Sequence, residues 1–159
     1  MKNLENRLFH EYRLKFYLNG NHYLMFGNTR GETHPHTWEF TLNILVGRET
    51  FVEFNQYERA IEQLLAPYQN KVLNEVDPFD AITPTLENLV EYFGIRAQEL
   101  VKQIGGRVLS IEGSETPTRS YVISFNDAFD SFELDNYTEE VKKTVIDAVL
   151  DDILEDMKN

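Results

Sequence analysis

Two stretches of strict alternation constrain the fold more than any other feature of this chain. From Tyr12 to Leu24, Leu14, Phe16 and Leu18 alternate with Arg13, Lys15 and Tyr17. From Thr37 to Val46, Trp38, Phe40, Leu42 and Ile44 fall on one side. Successive side chains of a strand point to opposite faces, so each stretch reads as a strand with one apolar and one polar face. Two shorter strands follow late in the chain, Arg107 to Gly113 and Arg119 to Phe125, joined by Ser114 to Thr118.

Between these pairs the apolar period lengthens to that of a helix. Asn55 is placed to cap a helix over about Gln56 to Ala66, with Tyr57, Ile61, Leu64 and Leu65 inward, and Pro67 ends it. Gly47-Arg48-Glu49 reads as a turn and Thr50 to Phe54 as a short return strand. Leu73 to Thr83 is irregular. Thr85 is the expected N-cap of a second helix, Glu87 suits its first turn, and Gly105-Gly106 stops it. Leu89, Tyr92, Phe93, Ala97, Leu100 and Val101 form its buried stripe. The return strand aside, the order is β-β-α-α-β-β, an α+β fold. A last helix, about Thr138 to Lys158, places Val141, Val145, Ile146, Val149, Leu150, Ile153, Leu154 and Met157 at the spacing of a single apolar face. That face is expected to pack on the chain's own sheet or on a neighbouring subunit, with a protein partner as the rarer use.

With 159 residues and no linker-like or repetitive tract before about Asn126, the chain reads as one domain, 1–125, followed by an acidic helical extension, 126–159. Fifteen basic against 27 acidic residues give a net charge of −12. Nucleic acid is disfavoured as a partner, because duplex binders carry a basic footprint. No apolar run approaches the roughly 18 residues that span a bilayer, and the N-terminus lacks a signal-peptide core, so no membrane association is expected. Cysteine is absent. That removes disulfides, thiolate ligands and a cysteine nucleophile, and it fits a cytoplasmic protein.

The chemistry-bearing residues concentrate at His34-Pro35-His36. On a strand, positions i and i+2 share a side, which holds two imidazoles next to each other. If the two N-terminal strands pair, His22 at the end of the first can join them. Three imidazole nitrogens with one open position describe a catalytic zinc site, although His-x-His alone also occurs by chance on surface strands. His10 stands outside this pattern. Glu115, in Gly-Ser-Glu-Thr-Pro-Thr, could accept paired N–H bonds from a flat amidine-like edge such as a pterin or guanine presents, or be a solvated loop acid.

Taken together, the chain resembles the 6-pyruvoyl-tetrahydropterin synthase and 6-carboxy-tetrahydropterin synthase family. The resemblance runs from Tyr12 to Phe125. It rests on Leu18-Asn19-Gly20-Asn21-His22, on His34-Pro35-His36-Thr37-Trp38, on Val52-Glu53-Phe54, on Leu73-Asn74, on Pro84-Thr85-Leu86-Glu87-Asn88, and on Glu115-Thr116 with Tyr121. It implies the T-fold, an antiparallel sheet with two helices on one face, joined sheet to sheet into an oligomeric barrel, commonly a homohexamer of two stacked trimers. It also implies Zn2+ on His22, His34 and His36, a pterin anchored by Glu115 and Thr116, and lyase chemistry on dihydroneopterin triphosphate. The family's products are 6-pyruvoyl-tetrahydropterin, 6-carboxy-tetrahydropterin or 6-hydroxymethyl-dihydropterin.

The sequence departs from this pattern where protons move. The family's cysteine base corresponds to Asn28 or Arg30, and its Asp-His relay to Gln69 and Asn70, whose amides do not titrate near neutral pH. Pro35 replaces the glycine of His-Gly-His. Glu32, two residues before His34, is the candidate substitute base. The alternative is a relative without turnover that binds a pterin- or guanine-like ligand as a sensor or partner protein.

Overall fold

The computed structural model describes residues 11–46, 53–125 and 139–158, with side chains of the last stretch described from 148. In chain order the elements are β1 (Glu11–His22), β2 (Met25–Phe26), β3 (Thr29–Arg30), β4 (His34–Leu45), α1 (Phe54–Leu65), β5 (Lys71–Val72), α2 (Leu86–Ile104), β6 (Arg107–Thr116), β7 (Arg119–Ser124) and α3 (Glu139–Asp156). The main sheet has the order β5-β1-β4-β6-β7. Its four long strands pair antiparallel, as the family resemblance implied. The sheet is nonetheless mixed, because the two-residue β5 joins β1 in parallel. Such a strand is too short to leave a periodic signal.

The N-terminal pairing carries the site. β1 and β4 run in register over their whole lengths, from Glu11 opposite Leu45 to His22 opposite His34. β4 starts three residues earlier than the alternation suggested, so His34-Pro35-His36 is part of the strand. Phe16 and Leu18 on β1, and Trp38, Phe40, Leu42 and Ile44 on β4, are all buried on the helix side. The first helix begins at Phe54 with Glu53 before it and no side-chain cap, so Asn55 lies inside the helix. Phe54, read as the end of a return strand, is helical and sets its ring edge-on to Tyr12 at 4.9 Å. The turn at 47–49 and the strand residues 50–52 lie outside the described residues, as does His10.

Helix α2 follows the sequence reading closely. Thr85 accepts the Asn88 amide at 3.2 Å, and Gly105 takes the left-handed C-terminal conformation with φ 95°. Thr85→Ala is expected to cost about 1 kcal/mol, the usual worth of an N-cap, in urea unfolding. The helix lies close on the sheet because two facing positions have no side chain. A Cβ on Gly113 would come within 2.2 Å of Val90, and one on Gly94 within 2.6 Å of Ile111.

Among the described residues, helix α3 packs chiefly on α2. Val149 is buried there. The Tyr92 hydroxyl donates to Asp152 at 3.0 Å, and Arg96 meets Asp152 and Asp156 at 3.2 and 2.8 Å. The single apolar face read from the periodicity is split. Val149 and Ile153 pack inward, while Leu150, Leu154 and Met157 are exposed. Val141, Val145 and Ile146 lie outside the described side chains. The physical reason is ionic: the acids at 152 and 156 turn inward to meet Arg96, which rotates part of the apolar row outward.

Acidic residues also oppose this docking. Partial burial raises the pKa of the Asp77 carboxyl, and the charges of Asp80, Asp152, Glu155 and Asp151 raise it further. A carboxyl raised on folding binds its proton more readily in the native state than in the unfolded chain. Its charge therefore costs stability above the raised folded value, and the cost fades as pH falls toward the ordinary aspartate range. Asp77→Asn is expected to raise Tm at neutral pH in calorimetric scans, with the increment vanishing in acid.

Candidate metal centre

His22 and His34 form the last cross-strand pair of the β1–β4 ladder, and His36 sits opposite Gly20. All three share the helix-side face, so the end of the apolar core becomes a ring of imidazoles. The ring centroids are 4.5 Å apart for His22 and His34, 5.0 Å for His22 and His36, and 4.9 Å for His34 and His36. One ligand atom from each can be chosen so that all lie within 4.8 Å of one another. His22 is buried, at 1% exposure, and the other two are half-buried.

The hydrogen bonds determine which nitrogens are free. His22 Nδ1 lies 2.7 Å from the Pro84 carbonyl, and His34 Nδ1 lies 2.9 Å from the Glu32 carbonyl. A carbonyl only accepts, so each Nδ1 carries its hydrogen. Each neutral ring then has a bare lone pair on Nε2. These two Nε2 atoms face each other at 2.9 Å. Two acceptors at that distance repel unless a proton or a metal ion lies between them. Burial lowers the His22 pKa and the neighbouring His34 and His36 lower it further, against the Pro84 carbonyl and Glu115, which act to raise it. A lowered pKa disfavours the shared proton, and the three imidazoles could hold a metal ion in its place. Carbonyl partners on the far ring nitrogen are the usual support of a ligating histidine. The donor set of three imidazoles without a thiol suits a first-row divalent ion.

Trp38, two positions beyond His36 on the same face, is the floor of the site. Its ring lies 5.0 Å from that of His22 and 5.3 Å from that of His36. Its indole N–H donates to Glu115 Oε1 at 2.9 Å. Glu115 is therefore not a loop residue but part of β6, held by a buried donor and close enough to His22 to act on it electrostatically. Its sequence position two residues beyond the apparent strand end at Gly113 concealed this, because β6 runs on to Thr116 and pairs with β4 as far as Ser114. Thr116 follows it, and both line a cleft of about 500 Å3 that runs across Thr37 and Glu39 on the other face of the sheet, with none of the three histidines in its wall. The Ser114 hydroxyl lies within reach of the Thr116 and Arg119 carbonyls and gives its one hydrogen between them, at the turn after β6.

The remaining sequence candidates are placed differently. Glu32 contributes its carbonyl to the histidine cluster, while the residue itself is exposed. Arg30, at a position where the family has cysteine, stacks on Tyr23 at 3.8 Å and donates to Thr33. Gln69 is a clamp: it donates to the Tyr17 carbonyl at 2.8 Å and accepts the Asn19 amide at 3.0 Å. Asn70 donates its backbone N–H to the Asn19 carbonyl at 2.6 Å. Asn74 pairs with both backbone groups of Tyr23, the residue after His22. Sequence reasoning missed Trp38 and Pro84 as supports of the site. The signal for Trp38 was its place in the alternation, two residues past His36; Pro84 left none, since its role is played by a backbone oxygen.

The comparisons agree with this architecture. Residues 11–126 match the family model described as 6-pyruvoyl tetrahydropterin synthase. The fold is similar to 6-pyruvoyl tetrahydropterin synthase from Caenorhabditis elegans, with TM-score 0.63 and 12% identity over 75% of this chain and 97% of that one. It is also similar to a Plasmodium vivax 6-pyruvoyltetrahydropterin synthase whose catalytic glutamate is replaced by alanine, with TM-score 0.56 and 13% identity over 75% and 99%. The Plasmodium falciparum enzyme gives 0.53 and 12% over 72% and 96%. No curated protein matches the sequence significantly. Among the described residues no helix is long and apolar enough to cross a membrane. With the family match covering most of the chain and the T-fold in place, the chain belongs to the 6-pyruvoyl tetrahydropterin synthase family.

Proposed function

We propose that this chain is a zinc-dependent tetrahydropterin synthase-like lyase acting on dihydroneopterin triphosphate or a related pterin. The observation that carries the reading is the pair of bare Nε2 atoms 2.9 Å apart, with the Trp38-held Glu115 beside them. His22, His34 and His36 would hold Zn2+, leaving an open position for substrate oxygen. A bound zinc would supply Lewis-acid polarisation of those oxygens.

The protein's own groups do the rest. Glu115 has one oxygen committed to Trp38, which fixes the carboxylate plane and leaves its other oxygen for the N–H edge of a pterin. Thr116 lies next to it in the cleft. Trp38 ties the anchor to the histidines, so the two ends of a bound ligand would be held by three adjoining strands, β1, β4 and β6. Glu32 is the proposed base. A glutamate as catalytic residue has a precedent in the Plasmodium vivax relative. We further read 1–125 as the catalytic domain and 126–159 as an acidic extension. A homohexamer is the proposed assembly, since joining sheets would cover the edge strand β7.

A second reading has its own observation. Gln69 and Asn70 stand at the relay positions; the Gln69 amide is spent on holding the β1 backbone, and Asn70 gives only its backbone N–H to Asn19. That arrangement favours a relative that binds the pterin without turning it over. Zinc-loaded protein incubated with dihydroneopterin triphosphate and followed by mass is expected to give a product, with no product from Glu32→Gln. Unchanged substrate in a sample that retains zinc and binds the pterin would replace the first reading with the second. Glu115→Gln is expected to weaken pterin binding by about 1–3 kcal/mol in calorimetric titration, the scale of a hydrogen bond to a charged group.

A further inference from the structure

The side of α3 turned away from α2 carries two parallel rows. At 100° per residue, Leu150, Leu154 and Met157 form one, at 51%, 53% and 77% exposure. Asp151 and Glu155 form the next row, and both line an acidic cleft of about 420 Å3 between α3 and the 77–82 segment, with Pro78 and Ile82 as apolar wall. Single exposed leucines are ordinary, but three in line at i, i+4 and i+7 make a seam that another helix can fill.

The charges beside the seam decide what can fill it. A second copy of this helix would bring the Asp151 and Glu155 row against its twin, in a chain of net charge −12. An anionic lipid surface would repel the same carboxylates. A helix with an apolar stripe flanked by lysines or arginines satisfies both rows at once, its apolar side on the seam and its cations at the carboxylates and the cleft. We propose that the outward side of α3 docks a basic amphipathic helix of another protein. The net negative charge would also steer such a partner toward the surface. The site is remote in kind from the histidine cluster and does not depend on the chain's being an enzyme.

The full-length protein is titrated with a designed Leu/Lys helix of about 18 residues with leucines at i, i+3, i+4 and i+7. A scrambled peptide of the same composition and a Leu/Glu helix serve as probes of non-specific attraction. One-to-one binding is expected, at least about tenfold tighter than to either control. Leu150→Gln/Leu154→Gln/Met157→Gln and Asp151→Asn/Glu155→Gln are each expected to weaken it about tenfold. Both sets are exposed and leave the Arg96 contacts in place, and helix content by circular dichroism checks the fold. Equal binding of the scrambled peptide, or full binding by both variants, overturns the proposal. So does a smaller oligomer in sedimentation of the apolar variant, which would assign the seam to a second copy.

Discussion

Replacing His34 and His36 together with alanine is expected to abolish stoichiometric zinc binding. His22 alone would remain, and a single imidazole cannot form the three-point site that the strand ladder assembles. Altering only the supporting hydrogen bonds of a ligating histidine lowers affinity by about 10–100-fold, so loss of two ligands should exceed that range. The variant should still fold, because His34 and His36 are half-buried at the end of the sheet and the core beneath begins at Trp38. Zinc content after dialysis, measured by elemental analysis, checks this. One equivalent of zinc retained by the double variant would sink the assignment of the centre. Removal of metal by a chelator gives the complementary test. If the facing Nε2 atoms are the site, apo protein should show a lower Tm that zinc restores, since a ligand bound only by the native state stabilises it.

The largest effect on stability is expected from Gly113→Val. The Cβ of any residue there would lie 2.2 Å from Val90, a distance that real contacts do not allow, and 3.2 Å from Phe40, a tight contact that leaves no room on the other side. Val90 and Phe40 are themselves buried, so neither can turn aside into solvent. The strain must be relieved by lifting α2 off the sheet, which would open the core between them. Overpacking a core typically costs 1–3 kcal/mol; with a clash against two buried side chains the loss should reach about 3 kcal/mol or more. The denaturation midpoint in urea measures it. A midpoint within error of the parent protein would show that the helix–sheet spacing is softer than described. Gly94, facing Ile111 across the same interface, should behave similarly, and the two losses should not add because they relieve one contact.

Much of the architecture is carried by local signals. The alternation in β1 and β4 is enforced by burial on one face, so it is written residue by residue. The α2 boundaries depend on Thr85 and Gly105, whose backbone needs are set within a single turn. The histidine triplet is legible because a strand's period of two is rigid, and its partner His22 follows once the two strands pair. The Asn55 cap failed because the helix extends two residues further, where Phe54 gains a contact with Tyr12 that no local rule contains.

By itself, then, the sequence determined the α+β order and the shared face of His34 and His36, since each follows from spacing along one segment; the antiparallel ladder was implied only by the family resemblance of its motifs, and His22 joins once two separate strands pair. Only the tertiary structure decided the rest. It set the ring tautomers through the Pro84 and Glu32 carbonyls and placed Glu115 under Trp38, which is 77 residues away in sequence. It also committed Gln69 to the β1 backbone and turned α3 so that its acids meet Arg96. Apart from the Glu32 carbonyl, two residues from His34, these are long-range polar contacts. Their geometry depends on how elements pack and not on the periodicity within any one of them.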